Sequence, residues 1–126
     1  MRPVLLDSSV LIDVLRGRPE AVAYLDRTRA VTALVSVTPV RTEVLGGIRS
    51  DGVRVTLDLL REIHWLDITI DLADVAAGLS RRFRPAHSGI GVVDYLLAAG
   101  SIQIDAGLAT MNVRHFPMFP GLERPY

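Results

Sequence analysis

The chain has no cysteine and no lysine, and each absence excludes a class of chemistry. Without cysteine there are no disulfides, no thiol nucleophile and no cysteine-ligated zinc, while sites for hard metals bound by oxygen stay open. All 14 basic residues are arginine, so a lysine-dependent phosphate loop and a Schiff-base enzyme are excluded. Codon bias in a GC-rich genome produces such a set of arginines, which also suits phosphate recognition.

Long apolar runs and an excess of charge of either sign are also missing. Only a three-residue apolar run precedes Asp7, and no stretch approaches the ~18 apolar residues of a membrane span, so we expect a cytoplasmic protein. The formal net charge is +0, so any binding to nucleic acid must depend on a local patch. The length of 126 residues and the hydrophobic fraction of 49% predict a single globular domain over residues 1–126.

Strand-like and helical patterns alternate along the chain. We predict strands at residues 4–6, 32–37, 65–70 and 107–110, and helices at 10–16, 19–29, 38–47, 53–63, 71–84 and 92–102. Asp71 is the predicted N-cap of the helix that runs to about Arg84. The Ala-rich helix at 92–102 is so apolar that we expect it to be largely buried. This alternation predicts an α/β protein with a mainly parallel central sheet flanked by helices.

Three acidic residues stand alone among apolar neighbours: Asp7, directly after the first predicted strand, Glu43 and Asp94. In a parallel sheet, ligands bind in the crevice at the carboxyl ends of the strands, which is where Asp7 falls. If the three carboxylates converge, their repulsion is tolerable mainly when a divalent cation neutralises it. Magnesium and manganese prefer such oxygen ligands and promote phosphodiester hydrolysis. The pattern therefore indicates metal-dependent phosphodiester hydrolysis.

Each acid also has an ordinary structural interpretation. Asp7 and Asp94 can cap the helices that follow or contain them, and Glu43 can face solvent or pair with an arginine. Sequence spacing alone leaves these interpretations open, because acids at 7, 43 and 94 meet only if the strand order brings them together.

Four segments resemble, in order and spacing, the PIN-domain ribonucleases, and specifically the VapC toxins of toxin–antitoxin pairs. The segments are DSSVLID from Asp7, EVLGG from Glu43, DYLLAA from Asp94 and LATMNVRHF from Leu108. The resemblance covers essentially the whole chain. It implies a PIN-like three-layer sandwich and a magnesium- or manganese-dependent endoribonuclease.

The resemblance also implies roles for individual residues. Asp7, Glu43 and Asp94 match the metal-binding acids, with Asp7 and Asp94 the most direct ligands. The small hydroxyl residues that support such a site are matched by Ser9 and Thr110. Asn112 stands where many PIN domains carry a fourth aspartate, and because an amide contributes less to cation binding, the number of ions stays open. His115 matches a histidine that we interpret as structural.

Partners follow from the same resemblance: an RNA substrate, a second copy of the chain in a homodimer, and a VapB-type antitoxin. The tail of such an antitoxin covers the acidic pocket while its other domain binds operator DNA, so DNA is contacted only indirectly. Arg81, Arg82 and Arg84 precede the helix of Asp94 and are candidates for binding RNA phosphates. A solvated helix end explains these arginines equally well.

Two other classes of function fit parts of the pattern. A receiver-like phosphoacceptor also clusters acids around magnesium, but it needs paired acids in its first acidic turn and a lysine, and this chain has neither. A non-catalytic PIN-like module would bind RNA or protein without cleaving it. The substitution Asp94→Asn discriminates, because unchanged activity in cells would favour the binding module.

Overall fold

A single parallel sheet organises the computed structural model, which describes all residues from Met1 to Tyr126. Its strands are β1 (Val4–Leu6), β2 (Leu34–Val37), β3 (His64–Leu66) and β4 (Gly107–Ala109). The strands lie side by side in the order β3-β2-β1-β4, and every neighbouring pair is parallel. The predicted α/β architecture with a central parallel sheet is therefore confirmed.

Six helices connect and cover the strands: α1 (Ser8–Leu15), α2 (Pro19–Arg29), α3 (Thr38–Gly46), α4 (Val53–Leu60), α5 (Ile70–Phe83) and α6 (Val92–Gln103). The chain moves across the sheet in one direction from β1 to β3 and returns to reach β4. Because parallel crossovers are right-handed, α1 to α4 lie on one face and α5 and α6 on the other. Consistent with this, α1 packs against α2 and α3, while α5 packs along α6. The result is the expected three-layer sandwich.

The strand order reverses at β1, which lies between β2 and β4, and we call the carboxyl ends of β1 and β4 the switch point. Connections from these neighbouring strands leave to opposite faces, so a crevice opens at their carboxyl ends, where ligands bind in open α/β sheets. Asp7 follows the end of β1, and Thr110 follows the end of β4. The topology thus brings residues about a hundred positions apart to one point.

Helix α6 forms the centre of one helical layer and is largely buried, as predicted. Leu97, Ala98 and Ala99 are inaccessible to solvent. A Cβ atom at Gly100 would lie 3.3 Å from Val37 Cγ1, so glycine permits a close approach of α6 to the sheet. This close packing fixes the position of the first turn of α6, which carries Asp94.

Several predicted bounds differ by one to three residues from those observed, and two further corrections concern the region of β3 and α5. Strand β3 covers only His64–Leu66 rather than 65–70, and α5 already begins at Ile70. The N-cap of α5 is Thr69, whose hydroxyl accepts a 3.1 Å hydrogen bond from Leu72 N, and Asp71 lies within the first turn instead. Threonine and aspartate are both good N-caps, and an acid in the first turn is stabilised by the helix dipole, so the sequence permitted either start.

None of the six helices combines the length and the apolar character needed to cross a membrane.

Candidate active site

The carboxylate of Asp7 lies at the switch point and is almost fully buried, with 4% of the residue exposed. Its Oδ1 accepts a 2.7 Å hydrogen bond from Ser8 N, so Asp7 is the N-cap of α1. Its Oδ2 accepts hydrogen bonds from Thr110 Oγ1 at 2.6 Å and from Ser9 Oγ at 3.1 Å. Helix capping therefore occupies one oxygen of this carboxylate, while the other accepts hydrogen bonds from Ser9 in the first turn of α1 and from Thr110 after β4.

Backbone amides after β4 fix the direction of the two hydroxyl bonds. Met111 N donates to Ser9 Oγ at 3.1 Å, and Asn112 N donates to Thr110 Oγ1 at 3.0 Å. Because each hydroxyl oxygen accepts a hydrogen bond from a backbone N–H group, its own O–H is directed to the carboxylate. The orientation of Asp7 is thereby set by a network that spans both ends of the chain.

Glu43, on α3, lies in the electrostatic field of both other acids. Partial burial is the main cause that raises the pKa of the Glu43 carboxyl, and the charges of Asp7 and Asp94 raise it further. The nearby Ser8 hydroxyl lowers this pKa. Glu43 is exposed, as the solvent-facing interpretation of the sequence allowed, and it forms no ion pair with an arginine.

Asp94, in the first turn of α6, combines a capping role with a position facing the other acids. Its Oδ2 accepts a 3.1 Å hydrogen bond from Gly91 N, and His115 Nδ1 lies 3.2 Å from the same oxygen. Burial is the largest cause that raises the pKa of Asp94, and Asp7 adds to it, whereas Gly91 N–H and His115 lower it. The other oxygen, Oδ1, makes no hydrogen bond with the protein.

The sheet order therefore brings the three predicted acids within electrostatic reach of one another. No three carboxylate or histidine side chains are close enough to form a complete metal site as they stand. The donor atoms are carboxylate oxygens, which suit magnesium or manganese better than softer metals. Carboxylates that resist ionisation beside one another are also stabilised by a bound cation, so the residues present fit such an ion.

The remaining predicted residues lie at different distances from this centre. Asn112 is exposed just beyond β4, and its side chain makes no hydrogen bond with the protein. Arg81, Arg82 and Arg84 are exposed at the end of α5 and form no ion pair with the acids. The structure thus brings Asn112 to the site but shows no contact between these three arginines and the carboxylates.

Two sets of contacts near the site were not predicted from the sequence, although His115 itself had been interpreted as a structural histidine. His115 contacts Asp94 because a single 3₁₀ turn, Val113–His115, follows β4, and no periodic pattern in the sequence signals such a turn. Arg16 and Arg124 line a cavity together with Ser8 and Ser9, although they lie at opposite ends of the chain.

The chain is similar to known proteins over nearly its whole length. The PIN domain family matches residues 4–118. Ribonuclease VapC19 of Mycobacterium tuberculosis is 40% identical over 123 residues, which are 97% of this chain and 98% of that protein. Ribonuclease VapC10 of the same organism is 38% identical over 123 residues, which are 98% of this chain and 92% of that protein.

Solved structures share the fold. A toxin–antitoxin complex from Klebsiella pneumoniae contains a chain that superimposes with a TM-score of 0.81 at 24% identity, covering 98% of both chains. VapBC2 from Rickettsia felis, bound to a DNA fragment from its promoter, gives a TM-score of 0.77 at 19% identity and covers 95% of both chains. At these identities the likeness concerns the fold alone.

Proposed function

The chain belongs to the PIN-domain family and, within it, to the VapC ribonucleases, and from that premise we propose that it is the toxin of a toxin–antitoxin pair. In this proposal it is an endoribonuclease that hydrolyses RNA phosphodiester bonds with magnesium or manganese. The observation that carries the proposal is that Asp7, Glu43 and Asp94 are near enough to influence one another electrostatically: burial, and to a lesser extent the neighbouring acids, raise the pKa values of Glu43 and Asp94.

Asp7, Asp94 and Glu43 would hold the cation. A bound cation supplies positive charge that stabilises the charge developing on the phosphodiester and makes a water molecule more acidic. Ser9 and Thr110 keep the Asp7 carboxylate in one orientation by donating to its Oδ2. His115 favours the ionised form of Asp94, and the Asn112 amide is free to contact RNA or water.

The proposal extends to the state of the protein in the cell. Residues 1–126 act as one PIN domain in the cytoplasm, as a homodimer, and are neutralised by a VapB-type antitoxin that makes the contacts with DNA. Support comes from the solved structures of similar fold, which are toxin–antitoxin complexes, one of them with promoter DNA. Arg81, Arg82 and Arg84 are candidate RNA contacts because they are exposed at the end of α5.

Incubation of the antitoxin-free chain with total bacterial RNA and manganese, followed by sequencing of new RNA ends, tests the proposal. We expect discrete cuts that disappear with a chelator and with Asp94→Asn. Asp74→Asn is the matched control, because Asp74 is an exposed acid on α5 that forms no ion pair. Absence of cuts by folded, monodisperse protein would instead favour a non-catalytic module that binds RNA or protein.

A further inference from the structure

A polar cavity of about 490 Å³ lies beside the hydroxyl groups that hold Asp7. One part of its wall belongs to the acidic site, through Ser8, Ser9 and Asn112. The other part carries three arginines, Arg16, Arg18 and Arg124, and one acid, Asp13, which is bound by Arg18 and Tyr126. Positive side chains therefore stand directly next to the proposed cleavage site, on the side of α1 and of the last residues of the chain.

Two of these arginines have no partner in the protein. Arg18 is occupied, since its Nη1 lies 3.1 Å from Asp13 Oδ2 and its Nε lies 3.2 Å from Glu20 Oε2. Arg16 and Arg124 are exposed and form neither an ion pair nor a side-chain hydrogen bond. Such guanidinium groups remain available to bind an anion from outside.

Arg16 links this cavity to the third acid. It also lines a larger cavity, of about 620 Å³, whose wall contains Glu43. A strand of nucleic acid crossing the acids would pass Arg16 on its way from one cavity to the other. Because uncompensated carboxylates repel phosphates, nearby guanidinium groups that bind phosphate through two parallel hydrogen bonds are what such a strand requires.

A tail clasp, formed by Tyr126, Asp13 and Arg18, holds the segment that carries Arg124. The Tyr126 hydroxyl donates a 2.7 Å hydrogen bond to Asp13 Oδ2, and the Arg18 guanidinium lies 5.0 Å from the centre of the Tyr126 ring. On the other side of Arg124, Leu122 packs against the hydrophobic core, as Tyr126 does. Arg124 is thus held between two anchored residues.

We propose that Arg16 and Arg124 bind phosphates of the RNA strand beside the position of the cut, and that the tail clasp acts as a positioning device for Arg124. This inference rests on the proposed function for the identity of the ligand, which is single-stranded RNA. It differs from the assignment of RNA contacts to Arg81, Arg82 and Arg84, which lie at the end of α5 and do not line this cavity.

The phosphate contacts are tested by the salt dependence of RNA binding. Fluorescence anisotropy measures binding of a fluorescein-labelled, mixed-sequence RNA 12-mer in the presence of a chelator, which prevents metal-dependent cleavage. Each lost contact lowers the slope of log affinity against log salt by about 0.7 for single strands, so Arg16→Ala with Arg124→Ala should lower it by about 1.4. Arg54→Ala is the matched control, because Arg54 is exposed on α4 and lines neither cavity. An unchanged slope in the double variant, an equal fall with Arg54→Ala, or no binding by the native chain would overturn the inference.

The clasp is tested by Tyr126→Phe, which keeps the ring and removes only the hydroxyl that bonds to Asp13. We expect weaker RNA binding in the native background and no further loss in the Arg124→Ala background, because the clasp acts through Arg124. A merely structural role would weaken binding equally in both backgrounds, and that result would contradict the positioning role.

The two proposals can fail separately. Cleavage of RNA by the native chain, together with an unchanged salt slope in the double variant, would refute the phosphate site and support the nuclease. Conversely, a reduced slope in the double variant without any cleavage by the native chain would support an RNA-binding site and refute the nuclease.

Discussion

Thr110 Oγ1 donates a 2.6 Å hydrogen bond to Asp7 Oδ2, although 103 residues separate the two in the chain. Thr110 is fully buried, and the bond joins the end of β4 to the end of β1. Asn112 N–H donates to the same hydroxyl, so the residue after next also depends on this contact. The geometry of the acidic site is therefore coupled to the pairing of two strands at the switch point.

Thr110→Val should lower RNA cleavage by about 10–100-fold at subsaturating manganese, which is the usual loss when a residue that orients a metal ligand is removed. Valine has a similar shape but cannot donate to Asp7, so the unfolding free energy should also fall by about 1–3 kcal/mol. Thr110→Ser keeps the hydroxyl and is the control. Manganese titrations of kcat/KM make the comparison, and wild-type activity in the valine variant would contradict the role given to Thr110.

His115→Leu should shift the acid limb of the pH–activity profile to higher pH. His115 lowers the pKa of Asp94, so its removal raises that pKa, and a reaction that needs ionised Asp94 then requires a higher pH. His64→Leu is the control, because His64 is exposed at the start of β3. Profiles of log kcat/KM against pH measure this shift, and an acid limb at the same pH in the variant and the native protein would show that His115 has no influence on Asp94.

Glu43→Gln should raise Tm slightly at pH 7 in the absence of metal, and the gain should be small because Glu43 is exposed and solvent screens the repulsion. The pKa of Glu43 in the folded protein is raised above its ordinary value of 4.5, so folding favours the protonated carboxyl. The free energy of unfolding is therefore unaffected below pH 4.5 and falls as the pH rises through the folded-state pKa. The advantage of glutamine should therefore vanish below about pH 4.

Manganese should reverse this order of stability, because a cation that binds only the folded state raises Tm, and the native site binds it better than the variant. Thermal unfolding at several pH values with and without manganese makes both comparisons. A less stable Glu43→Gln protein at pH 7 without metal would mean that Glu43 makes a stabilising contact.

Two glycines in helices should respond differently to alanine. Nothing lies within 4 Å of a Cβ atom built at Gly78, so Gly78→Ala should stabilise α5 by about 0.5–1 kcal/mol. At Gly100 the new Cβ atom would lie 3.3 Å from Val37 Cγ1, which offsets this gain, and Gly100→Val should destabilise by about 1–3 kcal/mol. Denaturant unfolding measures both, and equal stabilisation by the two alanine variants would argue against the close approach of α6 to the sheet.

The sequence predicted the parts of the site that depend on local pattern. A lone acid directly after a buried strand located Asp7, and an acid in the first turn of an apolar helix located Asp94. The resemblance to PIN-domain ribonucleases is confirmed by the family match, and the parallel sandwich by the structure. The metal-ligand roles of the acids stay predictions.

Contacts made by irregular segments were beyond the sequence reasoning. His115 reaches Asp94 through a single 3₁₀ turn, and Arg124 reaches the cavity because Tyr126 folds back onto Asp13. Neither contact follows from a helical or strand period, because both depend on where distant residues meet. The start of α5 was misplaced for a different reason, since threonine at 69 and aspartate at 71 are equally acceptable as N-caps.

The central claim is that the carboxylates at the switch point bind a divalent cation, and calorimetric titration of the purified chain with manganese tests it most directly. We expect saturable binding by the native chain that is lost in Asp7→Asn, weakened in Glu43→Gln and unchanged in Asp74→Asn, whose acid is exposed on α5. Equal manganese binding by the native chain and by Asp7→Asn would contradict the account.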